Sequence, residues 1–230
     1  MKNTDPKVIS KLVGMVLGDG HIQHTYAPGN ARIMLSHSIK QKEYMEHKVE
    51  LLSSIFGGPG NIRSYEWHGY TTLSYSTPVT SLLTELHKLF YVDKKKHVTQ
   101  DLLDLLDDEG AALWFMDDGS MSAQKDKTGK VIGYSIRLCS DCFTDQEVMM
   151  IRDWFIEKYN SNFTIQRTEN GCPRLVAGLG RVLPFLNRIK PYIIPSMLYK
   201  FDYIEPTLNM PLYTKKPFVP REPFISKEIH

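Results

Sequence analysis

The chain has 230 residues, 42% hydrophobic and 23% charged, an ordinary globular composition that excludes a disordered, collagen-like or coiled-coil bulk. At roughly 150 residues per domain, that length holds one large domain or two small ones. With 28 Lys and Arg against 26 Asp and Glu the net charge is +2, so a nucleic-acid partner must be judged from the distribution of charge and not from its sum. The first element is the apolar run Leu12-Val13-Gly14-Met15-Val16-Leu17, which closes on Gly18-Asp19-Gly20 and predicts a helix buried on all faces. A β-prone stretch, Ala31–Ser36, is followed by an amphipathic helix over Glu43–Phe56 that Gly57-Gly58-Pro59-Gly60 breaks. Strands are predicted around Asn61–Glu66 and Thr71–Ser76, turned by Trp67-His68-Gly69-Tyr70, and then a helix from about Val79 to Phe90.

The acidic run Asp101–Glu109 opens the approach to a second apolar run, Ala111-Ala112-Leu113-Trp114-Phe115-Met116, which ends in Asp117-Asp118-Gly119-Ser120. Carboxylates suit the start of that helix. A strand is predicted over Tyr134–Cys139 and a helix over Asp145–Tyr159, with Thr144 as N-cap and Glu147 completing a capping box. Strands near Phe163–Thr168 and Arg174–Gly178 and a helix near Val182–Ile189 close the pattern. Each half reads α-β-β-α-β-β-α. The expected fold is therefore α+β, with pseudo-symmetric halves over 8–100 and 101–205. Residues 206–230 form a Pro-rich basic tail, expected to lie along one half or touch phosphate backbone.

No stretch of about 18 apolar residues and no secretory core is present, so neither a membrane span nor export is expected. Three cysteines suggest no disulfide framework and fit an intracellular, reducing compartment: cytoplasm, nucleoid or organelle matrix. Cys139 and Cys142 make a C-x-x-C, but zinc needs about four ligands and no second pair follows.

The two Asp-Gly runs carry the chemistry. Their aspartates, Asp19 and Asp118, stand 99 residues apart. The small residues Gly14 and Gly18 in one run, and Ala111 and Ala112 in the other, let two helices approach closely. Such packing brings both carboxylates together at buried helix ends, where each is costly unless neutralised. A divalent cation resolves the repulsion, and hard oxygen ligands point to Mg²⁺. A single Asp-Gly terminates a helix for ordinary reasons; two at matched places in a repeat call for more. A pair of aspartic-protease-like carboxylates is rejected, because those sit in β loops as Asp-Thr-Gly or Asp-Ser-Gly.

With these residues in view, the chain resembles the LAGLIDADG homing endonucleases of the single-chain, two-motif type. Leu12–Gly20 matches the nine-letter motif at its Leu, first Gly, Asp and final Gly. The second copy departs at Leu113 and Trp114, yet Trp114-Phe-Met-Asp-Asp-Gly119 is itself familiar among two-motif members. Phe143-Thr-Asp-Gln-Glu-Val148 and Ile189-Lys-Pro-Tyr-Ile-Ile-Pro-Ser-Met-Leu-Tyr-Lys200 add to the likeness, which covers roughly residues 8–205. The resemblance implies motif helices packed on a pseudo-twofold axis and antiparallel sheets forming a DNA-binding saddle. It implies Asp19 and Asp118 as metal-binding catalytic residues, with the carbonyls of Gly18 and Asp117 as further ligands. The Asp117 side chain is expected to be a plain polar group at the helix end. Lys96 and Lys200 match the family's basic active-site positions, with Lys94-Lys95-Lys96 leaving the register of the first open. Two or three Mg²⁺ ions shared between the aspartates are implied, with Mn²⁺ as a substitute.

The implied partner is double-stranded DNA with a long pseudo-palindromic or asymmetric site, bound by a monomer and cut on both strands. Intron RNA is carried as a second partner, and an RNA-splicing maturase or a non-cleaving DNA-binding protein as the alternative function. His21, next to the first motif, is read as a strand residue before a water-positioning one. Positive residues fall in the strand and loop regions: Arg32, Lys40, Arg63, Lys125, Arg137, Arg167 and Arg174 are the DNA-contact candidates. Of these, Arg32, Arg63, Arg137 and Arg167 are expected to read base edges.

Overall fold

The computed structural model describes residues 4–25, 29–58 and 60–201; the tail expected over 206–230 lies outside them. Helix α1, Pro6–Leu17, starts on Asp5, whose carboxylate accepts from Lys7 N at 2.9 Å, with Pro6 in its first turn. Strands β1 (His21–His24) and β2 (Ala31–Ser38), helix α2 (Lys42–Phe56), strands β3 (Arg63–Trp67) and β4 (Tyr70–Ser76), and helix α3 (Ser81–Phe90) follow. The strands form an antiparallel sheet in the order β1-β2-β4-β3. Trp67 pairs with Tyr70, and His68 (φ 48°) and Gly69 (φ 77°) make the two-residue left-handed turn that suits a hairpin.

Two small elements come next that the periodicity did not suggest. Strands β5 (Tyr91–Val92) and β6 (Lys95–Lys96) make a tight hairpin, and α4 spans Gln100–Asp104. Then the first topology recurs: α5 (Asp108–Asp118), β7 (Gly119–Lys125), β8 (Val131–Leu138), α6 (Asp145–Tyr159), β9 (Thr164–Arg167), β10 (Pro173–Gly178) and α7 (Leu183–Ile189). The second sheet, β7-β8-β10-β9, repeats the order of the first, and the fold is α+β as expected. A final 3-10 stretch covers Pro195–Lys200. The capping box forms as read: Thr144 Oγ1 accepts from Glu147 N, while Glu147 Oε2 accepts from Thr144 N.

In β2, Ala31, Ile33, Leu35 and His37 point inward and alternate with more exposed neighbours. Their side chains pack with α1, α2 and α3 into a core continuous with Trp114, Phe155 and Phe185 of the second half. On the opposite faces Ser36 and Arg63 of the first sheet and Arg137 and Gly178 of the second are exposed.

At the centre α1 and α5 run parallel, since Ser10 meets Asp107, Gly14 meets Gly110, and Gly18 meets Asp117. A Cβ on Gly14 would strike the Gly110 carbonyl, and one on Gly110 would strike Ser10. The close approach expected at Ala111 and Ala112 is thus made one residue earlier, at Gly110, because that is where the two backbones touch. Asp107 caps α5 and exchanges hydrogen bonds with Ser10: its N–H donates to Ser10 Oγ at 2.8 Å, and Ser10 Oγ donates to its Oδ1 at 2.6 Å. The next two acidic residues pair nearby, Asp108 with Arg188 and Glu109 with Lys11.

Candidate functional site

Parallel packing brings the carbonyl ends of α1 and α5 to the same place. Both helix ends are electronegative, and each motif adds an aspartate there, so positive charge must be supplied. Two lysines supply it in the same way. Lys96 Nζ donates to the carbonyls of Val16 (2.6 Å), Leu17 (3.3 Å) and Gly18 (2.9 Å). Lys200 Nζ donates to those of Met116 (2.6 Å) and Asp117 (3.1 Å). The register left open among Lys94, Lys95 and Lys96 is set by the β5-β6 hairpin. Asp93 and Lys94 make its left-handed turn, Lys95 points outward, and Lys96, opposite Tyr91, points in. Burial pushes both ammonium pKa values down.

The two aspartates are held differently. Asp118 is the last residue of α5, and its Oδ2 accepts from Trp114 Nε1 at 3.2 Å, one helical turn back. The Trp that departs from the usual motif letters is therefore a partner of the motif carboxylate. Asp19 lies beyond the end of α1, and its side chain is 47% exposed. Its Oδ2 faces His37 Nδ1 at 3.9 Å. Burial, then the charge of Asp117, raises the pKa of both carboxyls, Asp118 to about 7. Two carboxyls whose ionisation is opposed by burial and by the charge of Asp117 are a donor set that a hard divalent cation would fit, taking the place of a proton. The Gly18 and Asp117 carbonyls, at the same ends, already accept from the two lysines.

The Asp117 side chain needs a correction. It is not a plain helix-end group: it is fully buried, and both of its oxygens accept from Lys48 Nζ, at 2.5 and 2.7 Å. Lys48 is itself fully buried on α2, lies 3.1 Å from His37 Nε2 and sits over the Tyr44 ring. Asp19, His37 and Asp117 each bring a ligand-type atom within 4.8 Å of the others. Within that cluster the Lys48 ammonium is paired with the Asp117 carboxylate. Sequence reasoning missed Lys48 and His37. The signal was there: Lys48 falls on the inward stripe of α2 with Tyr44, Met45, Val49 and Leu52, and His37 ends the inward alternation of β2.

Of the DNA-contact candidates, Arg32, Arg63, Arg137 and Arg174 lie on the open faces of the sheets. Arg32 pairs with Gln23 and bonds it at 3.0 Å; Arg63 pairs with Ser74. Arg137 pairs with Ser120 and Val176, and Arg174 is held by Asp141. Arg167 is different. It pairs with Pro173, so it has the parity of the covered face, and it bonds Asp145 at the start of α6 (2.6 Å) and the Gly171 carbonyl (2.9 Å). Its side chain is nonetheless 57% exposed and lines a surface pocket with Arg137 and Arg174. Lys40 sits in a 3-10 turn after β2, and Lys125 ends β7; both are exposed. His21 Nδ1 meets Tyr91 Oη at 3.2 Å. Cys139 and Cys142 are free thiols just past β8.

The model of the LAGLIDADG DNA endonuclease family matches residues 9–178, both motifs included. The chain belongs to that family. Among curated relatives, a probable intron-encoded endonuclease 1 of Wickerhamomyces canadensis is 28% identical, over 82% of this chain and 81% of its own. The cytochrome b mRNA maturase bI2 of Debaryomyces hansenii is 26% identical, over 86% and 75%. A RecA protein of Mycobacterium shimoidei is 27% identical over 86% of this chain, which spans 50% of that relative. Among solved structures, the homing endonuclease I-WcaI bound to its DNA recognition sequence superposes with a TM-score of 0.71 at 27% identity, covering 86% of this chain and 88% of that one. The meganuclease I-SmaMI bound to uncleaveable DNA shares the fold at 14% identity and a TM-score of 0.56, over 86% and 89%. No helix among the described residues is long and apolar enough to cross a membrane.

Proposed function

We propose that this LAGLIDADG chain is a site-specific double-strand DNA endonuclease that hydrolyses phosphodiesters with a divalent metal. The observation that carries the reading is the convergence of Asp19 and Asp118, both with raised pKa, at two parallel helix ends that Lys96 and Lys200 cap. Asp19 and Asp118, with the carbonyls of Gly18 and Asp117, are the donors that would hold Mg²⁺. A bound ion supplies an activated water and stabilises the leaving oxygen. Lys96 and Lys200 hold fixed positive charge at the same helix ends, where it favours the phosphate and the charge that builds on it. Trp114 fixes the rotamer of Asp118. The open-face arginines of the two equivalent sheets favour the duplex, one sheet per half-site, which accounts for a long and asymmetric target. Retention of both aspartates favours cutting over the splicing-only reading that the maturase relative raises.

The test is cleavage of a randomised duplex library with Mg²⁺, with Ca²⁺ as control. It should yield one enriched long site cut on both strands. Asp19→Asn and Asp118→Asn should each abolish double-strand cutting and keep DNA binding. Undiminished cutting by either variant rejects the assignment.

A further inference from the structure

The repeat is broken near the motif ends, and one of the breaks exchanges a carboxylate for a hydrogen atom. The residue before the motif aspartate is Gly18 in the first half and Asp117 in the second. They meet across the axis: a Cβ on Gly18 would run into the Asp117 carboxylate, so one is empty where the other is filled. Helices α2 and α6 are both 15 residues long, ending at Phe56 and Tyr159, which places Lys48 opposite Ile151 in the repeat. The buried pair Lys48–Asp117 therefore occurs on one side, where the other has Ile151 and Gly18.

That pair reaches the chemistry through the backbone. Because α1 stops at Leu17, the N–H of Asp19 lies outside the helix, and it donates to Asp117 Oδ2 at 3.1 Å. Asp118 is inside its helix and needs no such acceptor. Lys48 fixes the accepting carboxylate from both oxygens, and its Nζ also meets His37, whose other ring nitrogen faces Asp19. Asp19 is thus placed by a buried charge network, Asp118 by its helix and an indole.

We infer that Lys48 and Asp117 position Asp19 through a hydrogen bond that Asp118 does not make, and that through it the two strands of the target are cut by unequal halves of the centre. The inference rests on the endonuclease reading. It is tested with a duplex bearing the selected site, each strand labelled separately. Lys48→Met combined with Asp117→Leu removes both charges and the acceptor, leaving no buried charge unpaired. One strand should be cut tenfold or more slowly and the other less than threefold, so that nicked product accumulates. Equal slowing of both strands, as a merely structural role would give, overturns the inference, as does no slowing. If that variant does not fold, Lys48→Met with Asp117→Asn keeps the carboxylate's shape and should shift the strand ratio threefold in the same direction.

A second arm needs no cutting. Mn²⁺ binding to the protein, read by electron paramagnetic resonance, is compared in the Asp118→Asn and Asp19→Asn backgrounds. The paired substitution should weaken binding tenfold in the first and less than twofold in the second. Equal effects, or no Mn²⁺ binding by the unsubstituted protein, overturn it. A protein that binds Mn²⁺ but cuts no duplex fails the endonuclease reading, while this arm still decides the role of Lys48 and Asp117.

Discussion

Asp118 sits at a helix carbonyl end with Asp117 and Asp19 close by, and burial first, then those charges, raise its pKa to about 7. The sign of the consequence follows from linkage. The folded protein binds the proton more tightly than the unfolded chain does, so the contribution of Asp118 to stability is complete in acid. It is lost as pH rises through about 7. In EDTA, Asp118→Asn should therefore be more stable than the unsubstituted protein at pH 8, by at most about 4 kcal/mol, and the gap should close by pH 4. Thermal melts across that range check it. Saturating Mg²⁺ should reverse the ranking at pH 8, because only the carboxylate gains from the ion. The fully buried Lys48–Asp117 pair behaves differently. Losing one partner leaves a charge without its counter-ion, so Asp117→Leu alone should cost about 3–5 kcal/mol, and the Lys48→Met/Asp117→Leu pair much less. Chemical denaturation of the three variants measures it.

The parallel helix pair α1–α5 depends on glycine where the backbones touch. A methyl group at Gly14 meets Gly110 main chain, which cannot move without parting the helices. Gly14→Ala is accordingly expected to cost about 3 kcal/mol or more and to lower metal affinity along with stability. Gly178→Ala is the control: no atom lies within 4 Å of its Cβ, the backbone there is extended, and the change should stay within about 0.5 kcal/mol. Equal losses at the two glycines would show that close packing of α1 on α5 is not what Gly14 serves. At α6 the capping box is independent of this pair, so Thr144→Ala should cost only the usual cap, about 1 kcal/mol, with Mg²⁺ affinity unchanged.

Across the whole molecule, acidic residues gather at the start of α5, while Arg32, Arg63, Arg137 and Arg174 stand on the open sheet faces. A net charge of +2 is compatible with a DNA surface for that reason. Duplex affinity should fall steeply with salt, in proportion to the phosphates contacted. Arg63→Ala and Arg137→Ala should each weaken specific binding about tenfold, and Arg167→Ala, tied to Asp145 on the covered side, should change it far less. Titrations of labelled duplex at several salt concentrations test both, and a flat salt response would argue against the saddle.

The repeat was legible from residues alone because it is written in local code: apolar runs closing on Asp-Gly, a capping box at Thr144, alternation in Ala31–Ser36, breakers at Gly57–Gly60. Those signals act within a few residues, so they survive without a structure, and they carried the fold class and both motif aspartates. Lys96 was singled out, but its register was not, because three adjacent lysines look alike until a hairpin turn at Asp93–Lys94 points one of them inward. Arg167 and Arg137 are both strand arginines, and only pairing with Pro173 or with Val176 tells the covered face from the open one. Asp117 looked like an ordinary helix end because its partner, Lys48, is 69 residues away. Local chemistry is set by neighbours in the chain. Burial, ion pairing and the sharing of one centre by two halves are set by neighbours in space, and only packing α1, α2 and α5 together decided those.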